Sequence, residues 1–152
     1  ANARVRNVQL SAIGILRDAD DNPTGAFESI SNTLQAFALP VPPSSGLFAT
    51  GFPSIGVFIL PDGRSPGSVE ELCWQAVRNT SVGRCCVSYL DCLRASMALL
   101  SRDVGKTLVH AYLAAQEEPS TTVGVGALNN YWPLDHAAFT EIREFLERLA
   151  SI

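Results

Sequence analysis

The sequence predicts a single three-layer α/β domain, a small and mainly parallel sheet flanked by helices. Three observations predict it. Two short apolar runs, Leu10 to Leu16 and Ile55 to Leu60, are each followed by a loop and then by a stretch with helical spacing of apolar residues. Strand, helix, strand, helix favours a right-handed crossover and parallel pairing, which places the functional loops beyond the carboxyl ends of the strands. Finally, 152 residues, 47% apolar and 17% charged, suit one domain able to bury about 70% of the surface its unfolded chain exposes.

The first run, Leu10 to Leu16, is bounded by polar residues and reads as a buried strand. It leads into "RDADDNP", where Asn22 suits an N-cap and Pro23 the first helical position. Phe27, Ile30, Leu34 and Phe37 then recur at helical spacing, predicting a helix over Pro23 to Phe37. Ala38 to Ser54 is rich in Pro, Gly and Ser and carries no period, so it is expected to be an irregular connection. The second strand, "IGVFIL" at Ile55 to Leu60, is apolar on both faces, as a strand covered by helices on each side must be. Its expected neighbour is the first strand. In "PDGRSPGSVEEL", prolines and glycines force a turn, and Ser68 with Glu71 forms a capping box for the next helix.

The remainder reads as helical over Val87 to Leu100, with Leu90, Leu93, Met97 and Leu100 on one face, over Val104 to Gln116, and over Ala137 to Ala150. Residues 123 to 136 read as a loop. Gly124-x-Gly126 within it lacks the third glycine and the preceding strand of a dinucleotide fingerprint. "VGKT" at 104 to 107 imitates the tail of a phosphate-binding loop, but Leu100 stands where that motif requires glycine. No internal repeat or low-complexity tract is evident.

Composition narrows the function classes. A net charge of -4 and a pI near 5.1 supply no global field for nucleic acid, so a phosphate-rich partner needs a local basic groove or a metal. No apolar segment approaches the roughly 20 residues that span a bilayer, and no signal-peptide order is evident, so a cytoplasmic location is expected. Cys73, Cys85, Cys86 and Cys92 fit neither a zinc pattern nor a disulfide framework and are expected to be reduced, partly buried thiols. His110 is expected to be packed or hydrogen-bonded on its helix, and His136 to lie near the N-terminal end of the last one.

The chemistry centres on the aspartates. In extended chain, residues two apart face the same way, so Asp18 and Asp20 can point together while Asp21 faces elsewhere. Two carboxylates at close range repel, and a divalent magnesium or manganese ion relieves the conflict by binding both. Such an ion polarises a phosphoryl oxygen and activates water. Glu70, and less directly Asp62, belong to the loop at the end of the adjacent strand and could complete the site. The bland reading is that Asp20 or Asp21 complements the positive end of the following helix, worth about 0.3 to 1 kcal/mol, and that Glu70 and Glu71 serve the next one in the same way. Arg64 could meet a phosphate, but a solvated loop arginine is the plainer expectation.

On "AIGILRDADDNP", "SIGVFILPDGRSPGSVEEL", "KTLVHAYLAAQEEP" and "YWPLDHAAFTEIREFLERL" the chain resembles an uncharacterised bacterial family of small Toprim-like proteins classed as a domain of unknown function. The resemblance runs in order over nearly the whole chain. It implies the α/β sheet of primases, topoisomerases and OLD-type nucleases, in which a D-x-D pair matching Asp18 and Asp20 binds magnesium and Glu70 falls where OLD-type nucleases place another acidic ligand. Catalytic roles for Asp18, Asp20 and Glu70 in phosphodiester chemistry follow from that pattern. One departure matters: Toprim domains also carry a glutamate, usually in E-G-x-x-D, after an earlier strand, and Ala1 to Gln9 contain no acidic residue. An incomplete active site in a shortened member or a fragment is therefore expected.

Two other classes stay open. One is a non-catalytic binding or assembly module, the partner of an ATPase as OLD-type systems suggest, with Phe48, Tyr131 and Trp132 as exposed anchors if they are not core residues. The other is a haloacid-dehalogenase-like phosphatase with Asp18 as nucleophile and Asp20 as acid. Asp21 stands where that family continues with Thr or Val, which ranks it lower. Nucleic acid or a phosphorylated ligand is the expected partner of the acidic site.

Overall fold

The computed structural model describes residues 10–96, 103–120 and 122–152. In chain order the elements are β1 (Ala12–Asp18), α1 (Pro23–Ala36), β2 (Phe48–Ala49), β3 (Ser54–Leu60), α2 (Val69–Val77), α3 (Ser81–Ser96), α4 (Val104–Ala114), α5 (Val123–Leu128), a 3-10 turn (Ala137–Phe139) and α6 (Thr140–Ala150). Among these, no helix is long and apolar enough to cross a membrane.

The mixed sheet has the order β1-β3-β2. β1 and β3 run parallel in register from Ala12 opposite Ser54 to Asp18 opposite Leu60, and the short β2 pairs antiparallel at Phe48 and Ala49. All seven residues of the central β3 are buried. Because alternate side chains face opposite ways, Ile55, Val57 and Ile59 join Ala26, Ile30 and Leu34 of α1 in one core, while Phe58 and Leu60 join the larger core built by α2 to α6. Two cores on opposite faces of one sheet give the three expected layers.

The first strand lies two residues later than its apolar run suggests. Leu10 is 56% exposed, and pairing with β3 carries the strand through Arg17 to Asp18. Apolarity marked the strand, but its register is set by the partner. As the outer strand it is half-exposed, with Leu16 45% exposed, rather than buried as expected. A further detail lies in the register: Gly14 faces Gly56 across the pair. A Cβ at Gly56 would overlap the Phe48 ring, and one at Gly14 would come within 2.6 Å of the Leu149 side chain. The paired glycines form a trough into which Phe48 and α6 settle.

Helix α1 matches its expectation, with Asn22 Oδ1 accepting from Gly25 N at 2.9 Å and Pro23 in the first turn. Phe37 departs from the apolar face because the helix ends one residue earlier, leaving it 73% exposed. The connection after it is irregular but tied down, with Gly46 N donating to Val57 O at 2.8 Å and Ile59 N to Ser45 Oγ at 2.9 Å. These bonds supply the edge partner for β3 that its lack of period concealed.

Helix α3 starts six residues before the expected Val87, because Thr80 Oγ1 accepts from Gly83 N at 3.0 Å and opens the helix there. Met97 and Leu100 lie outside the described residues. The stretch 123 to 136 is not wholly a loop, since α5 forms behind Thr122, whose side chain accepts from Val125 N. Trp132 decides this: its indole N–H donates to Val123 O at 2.9 Å, and Gly126 leaves room for the ring. Trp132 is 3% exposed and stacks on Tyr112 at 5.4 Å, so it is a core residue and not an anchor. Tyr131 and Phe48 are likewise partly buried against the core.

All four cysteines are free, Cys73 and Cys86 buried and Cys85 and Cys92 exposed. His110 is exposed rather than packed, whereas His136 Nδ1 accepts from Ala138 N at 3.1 Å and opens the 3-10 turn before α6, near its expected place.

Candidate functional site

The carboxyl end of β1 is knitted to the loop after β3. Ala19 N donates to Leu60 O at 3.0 Å, and Asp20 exchanges two backbone hydrogen bonds with Gly67, at 2.9 and 2.8 Å. Asp20 adopts the left-handed region with φ 48°, which ends the extended chain. The alternation expected to align Asp18 with Asp20 therefore does not operate. Asp18 is half-buried at the strand end, Ala19 turns into the core and Asp20 is exposed.

A different link brings the acidic groups together. Val69 N, in the first turn of α2, donates to Asp18 Oδ1 at 2.9 Å, a bond spanning 51 positions of sequence. It seats the Asp18 carboxylate at the positive end of α2, next to Glu70 and Glu71. The helix-terminus service expected of Asp20 or Asp21 toward α1 is performed there by Asn22, and Asp18 performs it for α2 instead.

Burial pushes the Asp18 carboxyl above its ordinary value. The Val69 N–H works against the rise, and the negative charges of Glu70, Asp20 and Glu71 add to it. These three carboxylates are the charged groups that act most on Asp18. Glu70 is also felt by Cys73, whose thiol is pushed up to about 12, first by burial and then by that carboxylate. Cys73 is thus a neutral packing residue. Glu71 has a separate task, accepting from Ser68 N at 2.9 Å and from the Ser68 hydroxyl in the expected capping box. The carboxylates of Asp20 and Glu70 make no hydrogen bond or ion pair among the described residues.

Asp62 does not join this group. Its carboxylate accepts from Arg64 N at 2.9 Å, Ser65 N at 2.7 Å and Ser65 Oγ at 2.8 Å, closing the turn after β3. Burial opposes its ionisation, but these bonds outweigh it and hold the carboxyl below the usual range. Arg64 pairs with Glu141 of α6, both largely solvated.

Beside the acidic group opens a cavity of about 520 Å³, bounded by Asp20, Asp21, Gly67 and Glu71 on one side and by the first turn of α4 on the other. The "VGKT" segment is that turn, with Asp103 accepting from Lys106 N at 2.8 Å. Gly105 lets it close on the Glu71 side chain, where a Cβ would collide. Gly67 belongs to the turn that the prolines and glycines were expected to force, and its φ of +139° is the backbone demand that a Pro-Gly pair signals, whereas the close approach at Gly105 was missed.

The donor chemistry is that of a hard cation's ligands, since the side chains whose charge acts on Asp18, those of Glu70, Asp20 and Glu71, are carboxylates. No three His, Cys, Asp or Glu side chains among the described residues surround one point. Magnesium does not require that arrangement, because it is commonly held by one or two carboxylates with water and ligand phosphate completing its shell.

A family profile described as "Protein of unknown function (DUF3226)" matches residues 1–151. The chain belongs to this family. No curated protein and no solved structure matches it.

The charge crowding has a measurable consequence in this DUF3226 chain. A folded-state pKa above the unfolded value means that Asp18 contributes stability below about pH 3.8, and that this is lost as pH rises through the folded pKa. Asp18→Asn keeps an oxygen to accept from Val69 N and removes the charge. Since the carboxylate is partly solvated, the variant is expected to be more stable at pH 7 by a few tenths to about 1 kcal/mol. Thermal unfolding at pH 7 and pH 3.5 checks this, the gain shrinking at the lower pH.

Proposed function

We propose that this chain is a Toprim-like domain that takes up magnesium or manganese at Asp18, assisted by Asp20 and Glu70, and that the metal engages a phosphate of a nucleic acid or other phosphorylated ligand. The observation that carries the reading is geometric: Asp18, half-buried at the end of β1, is held by Val69 N at 2.9 Å beside Glu70 and Glu71, and the charges of Glu70, Asp20 and Glu71 oppose its ionisation. A divalent cation is the ligand that relieves such a group at neutral pH without a proton. When bound, it would supply Lewis-acid polarisation of a phosphoryl oxygen.

The chain's own residues have distinct parts. Val69 N–H fixes Asp18 Oδ1, which orients the carboxylate and leaves Oδ2 for a ligand. Gly67 holds the Asp20 backbone, and the first turn of α2 carries Glu70. Asp62 is left out of this reading, since its carboxylate already accepts three hydrogen bonds within its own turn.

A second reading is favoured by Asp18 already serving α2: the acidic edge then stabilises a non-catalytic module, the partner of an ATPase in the way the resemblance suggests. Calorimetric titration with magnesium and manganese, followed by cleavage assays on single- and double-stranded DNA and RNA, separates the two. Metal binding that Asp18→Asn with Asp20→Asn abolishes, together with strand cutting, is the expected result for the enzyme. Binding without cutting supports the module, and absence of binding overturns the metal reading.

A further inference from the structure

A second cavity lies on the same edge of the sheet, beside β2. It holds about 320 Å³ between the Asp62–Arg64 turn, the Ser45–Gly46 segment and α6, at the lower end of the roughly 300–1,000 Å³ of small-molecule sites. Charges of both signs line it, and most are already engaged. Asp62 is bound within its turn, and Arg64 is paired with Glu141.

Glu144 and Arg148 remain. They stand four apart on α6 with the glutamate first, the spacing and order at which such residues ordinarily pair. No ion pair joins them among the described residues. The Arg148 guanidinium lies instead over the Phe48 ring, 5.6 Å from its centroid, and Phe48 stacks on Phe145 at 4.9 Å. The cavity is lined by both residues, with Phe58 and Phe145 also on its wall.

We propose that this cavity binds a small zwitterion of the α-amino acid class, its ammonium on Glu144 and its carboxylate on Arg148. A simple anion would meet the carboxylates of Asp62, Glu141 and Glu144 in the lining, and a simple cation would leave Arg148 without a counter-charge. A dipolar ligand satisfies both heads at once, and charge-assisted hydrogen bonds to each are the stronger kind. Neither the acidic group around Asp18 nor a metal takes part.

The test is a panel of free amino acids at millimolar concentration, each with its N-acetyl and carboxamide counterparts, read by calorimetry and thermal shift on the whole chain. At least one free amino acid is expected to bind the wild type, with blocking of either charge weakening it by about tenfold or more. Glu144→Gln, an exposed substitution, is expected to keep the ligand-free unfolding temperature and lose the same factor. Arg148→Gln is expected to lose binding as well. The proposal is overturned if no free amino acid binds, if blocked analogues bind equally well, or if Glu144→Gln binds as the wild type does.

Discussion

Replacing Phe145 by alanine is expected to destabilise the protein by about 3–5 kcal/mol, the range for deleting a buried aromatic ring. Phe145 is 2% exposed and joins the sheet to α6 through two ring contacts, with Phe48 at 4.9 Å and Phe58 at 5.5 Å. The ring also lies beside the trough of paired glycines, since a Cβ at Gly14 would stand 3.4 Å from it. The loss is therefore shared by β2, β3 and α6, and the site can collapse little. At about 2–4 °C per kcal/mol for a chain of this size, the unfolding midpoint is expected to fall by roughly 6–20 °C. A fall of only a degree or two in a thermal melt would mean that α6 is not packed on the sheet as described.

The second large effect is expected from one methyl group. Gly83→Ala places a Cβ against the Val77 carbonyl oxygen and the Arg78 backbone, where α3 crosses the end of α2. A flexible side chain could turn away, but these are main-chain atoms, and Val77 is fully buried. Relief requires the two helices to separate, so the cost belongs at the upper end of overpacking, about 3 kcal/mol. Gly124→Ala is the control, since nothing lies within 4 Å of its Cβ. That change on α5 is expected to be neutral or to stabilise by about 0.4–1 kcal/mol. Denaturant melts of the two variants check the contrast, which would vanish if the Gly83 crossing were loosely packed.

Much of the fold was legible because its signals are local. Asn22-Pro23 sets the start of α1 through one side-chain bond and one fixed φ, and Ser68 with Glu71 starts α2 in the same manner. The all-apolar "GVFIL" could only be a strand covered on both faces. The missed elements depended on distant partners. β2 exists because β3 offers it an edge, and the helical turn at Val123–Leu128 is steadied by an indole nine residues away.

The candidate site divides along the same line. Which residues are acidic, and that two of the acidic loops follow strands, could be read from residue order alone. Asp18 and Glu70 were singled out in that way, but strand alternation is not what relates Asp18 to Asp20, because left-handed backbone at Asp20 ends it. Asp62 was placed with them from residue order, which does not reveal the three hydrogen bonds its carboxylate accepts within its own turn.

By itself, then, the sequence determined the layers, the parallel pair of strands and the acidic character of one sheet edge, since periodicity and capping act over a few residues. Only the tertiary structure decided which carboxylates meet. That choice rests on the register of β1 against β3 and on a single bond from Val69 to Asp18, and contacts across 51 residues leave no trace in local order.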